Sequence, residues 1–234
     1  MTETNFASRL AAVEERIRSA ARRSGRSFAD ITLVAVSKKF SASAMVEAYA
    51  CGMRHFGENY VQEFAAKRPE LTGLHDATFH LIGHLQSNKT NQACGLFRVI
   101  HTIDSPKLLQ RLDAAASDQN ISLEALLEIK LSDEETKSGT EVTELPRLLD
   151  AAGRCRTVKV VGLMTMPPWS EDAELSRPYF RRLAELARNN GLPQLSMGMS
   201  NDFEVAIEEG ATLIRVGTAL FGKRPKPIEG TSPD

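Results

Sequence analysis

The 234-residue chain has only three cysteines, Cys51, Cys94 and Cys155, and no two of them lie close in sequence. A disulfide framework and a thiolate zinc site are thereby excluded, and the pattern suits a reducing compartment. None of the three sits in a catalytic cysteine motif. Long apolar runs are also missing: no stretch approaches the roughly 20 residues of a membrane-spanning helix. Met1 to Phe6 lack the basic-then-apolar layout of a signal peptide, so the expectation is a soluble, cytoplasmic protein with no membrane partner. Charge of one sign is not in excess, with 29 lysines and arginines against 30 acidic residues and a formal net charge of -1. Bulk attraction to nucleic acid is therefore excluded, and any bound anion must be held by local groups. No Gly-x-Gly-x-x-Gly turn follows the first strand, as a dinucleotide-binding sheet would require.

Present instead is regular alternation. Phe6, Leu10, Val13, Ile17 and Ala20 recur at helical spacing, and Gly25 stops that first helix. Ile31 to Val36 reads as a buried strand. Ser41 to Cys51 reads as the helix after it, with Met45, Val46 and Tyr49 on one face. Arg54 to Gly57 forms a second strand, and Tyr60, Val61, Phe64 and Ala65 a second stripe. Six further apolar runs follow: Phe79–Gly83, Phe97–Ile103, Leu123–Leu131, Val158–Met164, Gln194–Met197 and Thr212–Val216. Helical segments start near Ser87, Ser105, Glu141, Ser176 and Asp202 between them. Eight strand-helix pairs with near-continuous Val/Ile/Leu strands predict a single α/β domain, a closed (β/α)8 barrel of the TIM type with an added N-terminal helix. The runner-up is a doubly wound open sheet. The barrel spans residues 1–224, and residues 225–234 read as a disordered tail. No heptad or spare strand edge is left for a partner, so a monomer is expected.

In such a barrel the reactive face lies at the C-terminal ends of the strands. The polar residues there include Lys38, Glu58-Asn59, Gly83-His84, His101-Thr102-Asp104, Lys137-Ser-Gly139, Met164-Thr-Met166, Ser200-Asn-Asp202 and Arg215-Val-Gly217-Thr218. Lys38 is either a solvated charge or an amine that condenses with an aldehyde. The loops after the seventh and eighth barrel strands are frequent phosphate sites. Ser200, Gly217 and Thr218 make a candidate phosphate cup there. Capping of the next helix by Ser200 and Asn201 is the competing reading. Arg215 alternates with Leu213 and Gly217 and so faces the barrel interior, where a carboxylate or a ligand must pair with it. An amine at one strand end and an anion cup at another fit pyridoxal 5'-phosphate (PLP).

Val36-Ser-Lys38, Phe56-Gly-Glu-Asn-Tyr60, His80-Leu-Ile-Gly-His-Leu-Gln-Ser-Asn-Lys89, His101-Thr-Ile-Asp104, Lys137-Ser-Gly139, Gly162-Leu-Met164, Ser196-Met-Gly-Met-Ser-Asn-Asp202 and Arg215-Val-Gly-Thr-Ala-Leu-Phe-Gly222 follow one another in order. Together they resemble the YggS/PROSC family of pyridoxal phosphate homeostasis proteins over residues 5 to 224. The resemblance implies that Lys38 holds PLP as a Schiff base, that Asn59 lies beside its ring, and that Ser200, Gly217 and Thr218 hold its phosphate. It implies that Arg215 approaches the pyridine nitrogen, and Met164 is placed with these cofactor-binding residues. The barrel also resembles the N-terminal domain of alanine racemase.

Efficient carbanion chemistry on this cofactor commonly uses an acidic partner at the pyridine nitrogen. An arginine there disfavours pyridinium. Racemisation also needs bases on both faces of a planar intermediate. Tyr49 and Tyr179 are expected on outer helices and Tyr60 at a helix start, so none is an evident second base. The implied role is cofactor buffering and delivery in PLP homeostasis, with PLP-dependent apoenzymes as recipients and no catalytic residue assigned. The alternatives are a weak PLP-dependent amino acid racemase and a barrel that binds only phosphate. Lys89 and Lys137 read as solvated lysines or as secondary cofactor contacts. His84, His101 and Asp104 read as hydrogen-bond partners that stabilise loops.

Overall fold

The computed structural model describes residues 5–132 and 138–223. Lys137 and the expected tail at 225–234 lie outside the described residues. Nine strands follow in order: β1 (Thr32–Val36), β2 (His55–Glu58), β3 (Thr78–Leu81), β4 (Val99–Ile103), β5 (Leu123–Lys130), β6 (Thr140–Glu141), β7 (Val158–Met164), β8 (Gln194–Ser196) and β9 (Leu213–Val216). All but β6 pair in parallel with both ring neighbours. The β4–β5 pairing (Val99↔Glu124) and the β9–β1 pairing (Leu33↔Ile214) close the sheet into an eight-stranded barrel. The short β6, which the apolar pattern does not announce, adds to the end of β5 through Ile129↔Thr140.

The helices are α1 (Phe6–Arg23), α2 (Ala42–Ala50), α3 (Val61–Lys67), α4 (Thr90–Leu96), α5 (Pro106–Asp118), α6 (Leu145–Ala152), α7 (Arg177–Asn189), α8 (Phe203–Glu208) and α9 (Thr218–Phe221). From α2 onward one follows each barrel strand. No helix among the described residues is long and apolar enough to cross a membrane. Asn5 caps α1 by accepting the Ser8 N–H at 2.9 Å. Its stripe of Phe6, Leu10, Val13, Ile17 and Ala20 is buried as expected. That stripe packs on α8 and α9, so α1 covers the barrel where the last helix is only four residues long.

On α2 the buried positions are Ala42, Met45 and Ala48, spaced every third residue. Val46 is 43 % exposed, correcting its expected place on the buried face. Small alanines let this helix lie close to the sheet, which turns the stripe away from Val46. On α3, Val61 and Phe64 are buried while Tyr60 stands at its cap, 53 % exposed. Phe64 packs between Phe79 (4.8 Å between centroids) and Phe97 (4.9 Å), joining α3 to β3 and to the end of α4. Burying each such ring contributes about 1.5–3 kcal/mol.

Two packing layers result. The larger lies between helices and sheet, and the smaller fills the barrel interior with Val34, Val99, Leu126, Val161, Met164 and Leu213. The β5–β7 register shifts between Ala125 and Leu126, where the partner jumps from Val160 to Gly162, a bulge that tilts the upper half of β7. A Cβ on Gly162 would sit 2.1 Å from the Gln194 carbonyl oxygen, so only glycine lets β7 and β8 approach here. Gly162→Ala is expected to cost about 3 kcal/mol or more in urea unfolding, because the obstacle is backbone. Gly73→Ala, with open space at the added Cβ, should unfold like the parent.

Candidate functional site

Strand β1 ends in buried Ser37 and half-buried Lys38. The chain then turns sharply, with Lys39 at a φ of 64°, a left-handed conformation unfavourable for lysine. The turn is held from α3: the Lys39 N–H donates to Glu63 Oε1 at 2.5 Å, and Lys67 Nζ donates to the Ser37 carbonyl at 3.2 Å. Lys67 also pairs with Glu63 (2.6 Å) and with Glu58 (3.0 Å), whose carboxylate is fully buried and accepts the Ser37 hydroxyl at 2.7 Å. Burial raises the Glu58 carboxyl above the usual range, and Lys67 opposes that rise. Together Glu58, Glu63 and Lys67 anchor the chain on both sides of Lys38.

Beside β1, which pairs with β9, the loops after β8 and β9 meet. The Ala219 N–H donates to Ser200 Oγ at 3.4 Å, which brings Ser200 beside Gly217 and Thr218. Asp202 holds the first loop by accepting the Met199 N–H (2.7 Å) and the Ser176 hydroxyl (2.9 Å). Gly198 takes a φ of +91° and a Cβ there would strike Ala206 at 2.5 Å, so the loop folds tightly onto α8. Asp202 is the cap residue of α8, and the Asn201 amide donates to the Ser170 carbonyl at 2.9 Å instead. The capping reading of Ser200 and Asn201 is thereby corrected. The Ser200 hydroxyl serves the cavity wall.

Arg215 is buried inside the barrel and donates to Ser196 Oγ (2.5 Å) and to the Thr165 carbonyl (3.0 Å). Both partners are neutral. Burial lowers the guanidinium to about 10, and Glu128 and Asp202 favour its charge from a distance. Glu128 itself is buried, and desolvation pushes its carboxyl up to about 7 while Arg215 pulls it down. Two buried side-chain atoms have no hydrogen-bond partner among the described residues, Asn59 Oδ1 and Glu128 Oε2. Both residues line the same cavity. A buried acceptor left unpaired is costly, so this pair marks a place for a polar ligand.

That cavity, of about 450 Å³, opens at the C-terminal ends of the strands, a size usual for small-molecule sites. Lys38, Asn59, Ser200, Arg215, Gly217 and Thr218 all line it. Met164 does not. It is fully buried in the interior apolar layer, and Met166, two residues on and beyond the strand end, lines the cavity instead. Sequence reasoning missed Glu128, although a glutamate interrupting Leu123–Lys130 was a visible signal. It also missed Pro167, Pro168 and Trp169, which form a rim with the indole 75 % exposed. His84 lies 3.6 Å from Asp104, a loop contact as expected. His101 is buried in the barrel core, not in a loop. Among the described residues no cluster of three or more His, Cys, Asp or Glu could hold a metal.

Known proteins share this fold. The family model described as alanine racemase, N-terminal domain, matches residues 8–225. The pyridoxal phosphate homeostasis protein of Aquifex aeolicus is 44% identical over 226 residues, covering 94% of this chain and 99% of that one. The structure of PipY from Synechococcus elongatus PCC7942, solved with PLP bound, is 40% identical with a TM-score of 0.82 and covers 93% of this chain and 100% of that chain. Alanine racemase from Corynebacterium glutamicum, at 19% identity and a TM-score of 0.66, shares the fold, and the match covers 95% of this chain and 63% of that enzyme.

Lys67→Met would leave Glu58 charged, buried and held by Ser37 alone, which should cost about 3–5 kcal/mol at pH 8. A carboxyl raised above its unfolded value contributes stability below that value and loses it as pH rises. The deficit of the variant should therefore shrink between pH 8 and pH 5, as read by urea unfolding at each pH.

Proposed function

This chain belongs to the family of pyridoxal phosphate homeostasis proteins, built on the alanine racemase N-terminal barrel, and we propose that it binds PLP reversibly and buffers or delivers it in the cytoplasm. The observation that carries this reading is one cavity joining a positioned lysine, a wall of hydroxyl and backbone groups at Ser200, Gly217 and Thr218, and two buried acceptors without a partner among the described residues. The PLP-bound state of the Synechococcus relative supports it. When bound, the cofactor supplies an aldehyde that an amine captures reversibly and a phosphate that neutral donors retain.

In this reading Lys38 is the capturing amine, and Glu63 and Lys67 hold its turn in place. Ser200, Gly217 and Thr218 retain the phosphate with hydroxyl and backbone donors, while the Arg16 guanidinium reaches only the Ser200 carbonyl, at 3.5 Å. Neutral donors hold a dianion less tightly than a guanidinium would, which suits release. Asn59 lies beside the ring, Arg215 approaches the pyridine nitrogen, and Met164 contributes from the packed layer of the barrel interior. An arginine charged at neutral pH disfavours protonation of a neighbouring nitrogen and weakens the electron sink that turnover needs. The protein then carries the cofactor without efficient catalysis of its own. It acts as a monomer, with PLP-dependent apoenzymes as recipients.

The test is the absorption spectrum of the purified protein with added PLP, followed by borohydride reduction and mass spectrometry. A visible Schiff-base band and a pyridoxyl adduct on Lys38 are expected, both lost in Lys38→Ala. An adduct confined to other lysines, or racemisation of L-alanine at enzymatic rates, would overturn the reading.

Glu128 adds a pH dependence. Its carboxyl is neutral below about 7 and charged above, where it repels an anionic ligand. PLP affinity should fall as pH rises through 7, and the part of that fall due to Glu128 should vanish in Glu128→Gln, measured by equilibrium dialysis from pH 6 to 8.5.

A further inference from the structure

Three histidines on adjacent strands form a continuous hydrogen-bonded chain through the barrel. His55 Nδ1 lies 3.0 Å from His80 Nε2, His80 Nδ1 lies 2.9 Å from His101 Nε2, and His101 Nδ1 lies 2.8 Å from Ser196 Oγ. Ser196 Oγ in turn accepts from Arg215 Nη1 at 2.5 Å. His80 and His101 are buried. His55 is half-buried and lines a hollow at the opposite end of the barrel, together with Asp30, Arg98 and Glu124. One end of the chain therefore reaches the cavity at Arg215, and the other reaches the far face.

The direction of every bond follows from one group. A guanidinium only donates, so Ser196 Oγ accepts from Arg215. Its two partners among the described residues are Arg215 and His101, so its single hydrogen goes to His101 Nδ1. A neutral imidazole that accepts at one nitrogen carries its proton on the other. His101 thus donates from Nε2 to His80 Nδ1, and His80 donates from Nε2 to His55 Nδ1. The reverse order would leave the serine hydrogen without an acceptor in a buried site.

We propose that Ser196 and His101 are positioning residues for Arg215, and that the arginine imposes one proton arrangement, Nε2–H on all three rings, from the cavity to the far face. Burial acts in the same sense, holding His80 at about 3 and His101 well below the usual imidazole range, so both stay neutral. Protonating His55 would turn its Nδ1 into a donor aimed at the His80 donor. His55 protonation therefore opposes the chain, and burial lowers this imidazole as well, in a hollow that it shares with Asp30, Arg98 and Glu124. The consequence for ligand binding rests on the proposed function, because Arg215 lines that cavity. The tautomer pattern does not.

The experiment is a long-range 1H–15N correlation on full-length, histidine-labelled protein without ligand at pH 7.5, assigned with single His→Gln variants. Neutral, Nε2-protonated rings are expected for His55, His80 and His101. An Nδ1–H or doubly protonated ring at His80 or His101 would overturn the proposal. Ser196→Ala should release the His101 tautomer and weaken PLP binding about tenfold, the usual effect of losing one charge-assisted hydrogen bond. Ser196→Thr, which keeps the hydroxyl, should restore both. Unchanged His101 signals in Ser196→Ala would also overturn it. If Ser196→Ala fails to fold, the tautomers of the parent protein decide alone. Locked tautomers in a protein that does not bind PLP would reject the proposed function and keep the chain. PLP binding with an Nδ1–H ring would reject the chain only.

Discussion

A guanidinium buried inside a parallel barrel is the constraint around which the reactive end of this protein is organised. Arg215 keeps its charge at neutral pH although it is almost wholly buried, meeting open space only at the cavity wall. A lone ion in such a place is expensive, so its surroundings must compensate through donors' partners and distant carboxyls. Here the direct partners are a serine hydroxyl and a backbone carbonyl, while Glu128 and Asp202 act through space. The charge is thereby held in place without being neutralised. A positive potential remains directed at the cavity, while Glu128 sits near its own titration point. This combination suits a ligand that presents a hydrogen-bond acceptor to the guanidinium.

A second ionic cluster works at the neighbouring strands β1 and β2. Glu58, Glu63 and Lys67 lie just outside the barrel ring and fasten the turn that follows β1. The left-handed conformation at Lys39 is a local cost, and the α3 side chains offset it. The turn that carries Lys38 is therefore fixed by the ionic groups of β2 and α3. The two clusters divide the labour: one sets where the amine emerges and the other sets the field it emerges into.

Much of this was readable before any coordinates. The apolar runs mark all eight barrel strands, because parallel strands covered on both faces need continuous Val, Ile and Leu. Residues at strand ends, such as Lys38, Asn59 and Ser200, follow from barrel polarity alone. What resisted reading depends on register and on distance in space. Ser196 and His101 are 95 residues apart, and only the closed ring brings them within 2.8 Å. Glu128 lies inside the barrel because of its parity on β5, and the bulge near Gly162 shifts the parity of β7 relative to its neighbour. Alternation counted from the sequence did not separate Met164 from Met166, since the first still belongs to the packed interior and the second has left it. Val46 was misplaced for a related reason: small alanines on α2 moved the contact line by one position.

The long first helix has an effect on when the protein becomes competent. α1 grips α8 and α9 through Arg16–Glu204 (2.6 Å), Arg23–Glu208 (2.7 Å) and the Phe6–Phe221 ring contact, and Arg9 donates to the Leu220 carbonyl at 2.5 Å. The apolar stripe of α1 is therefore buried only once α8 and α9 are in place, and a chain that has not yet formed β9 lacks both this clamp and the loop that carries Gly217 and Thr218.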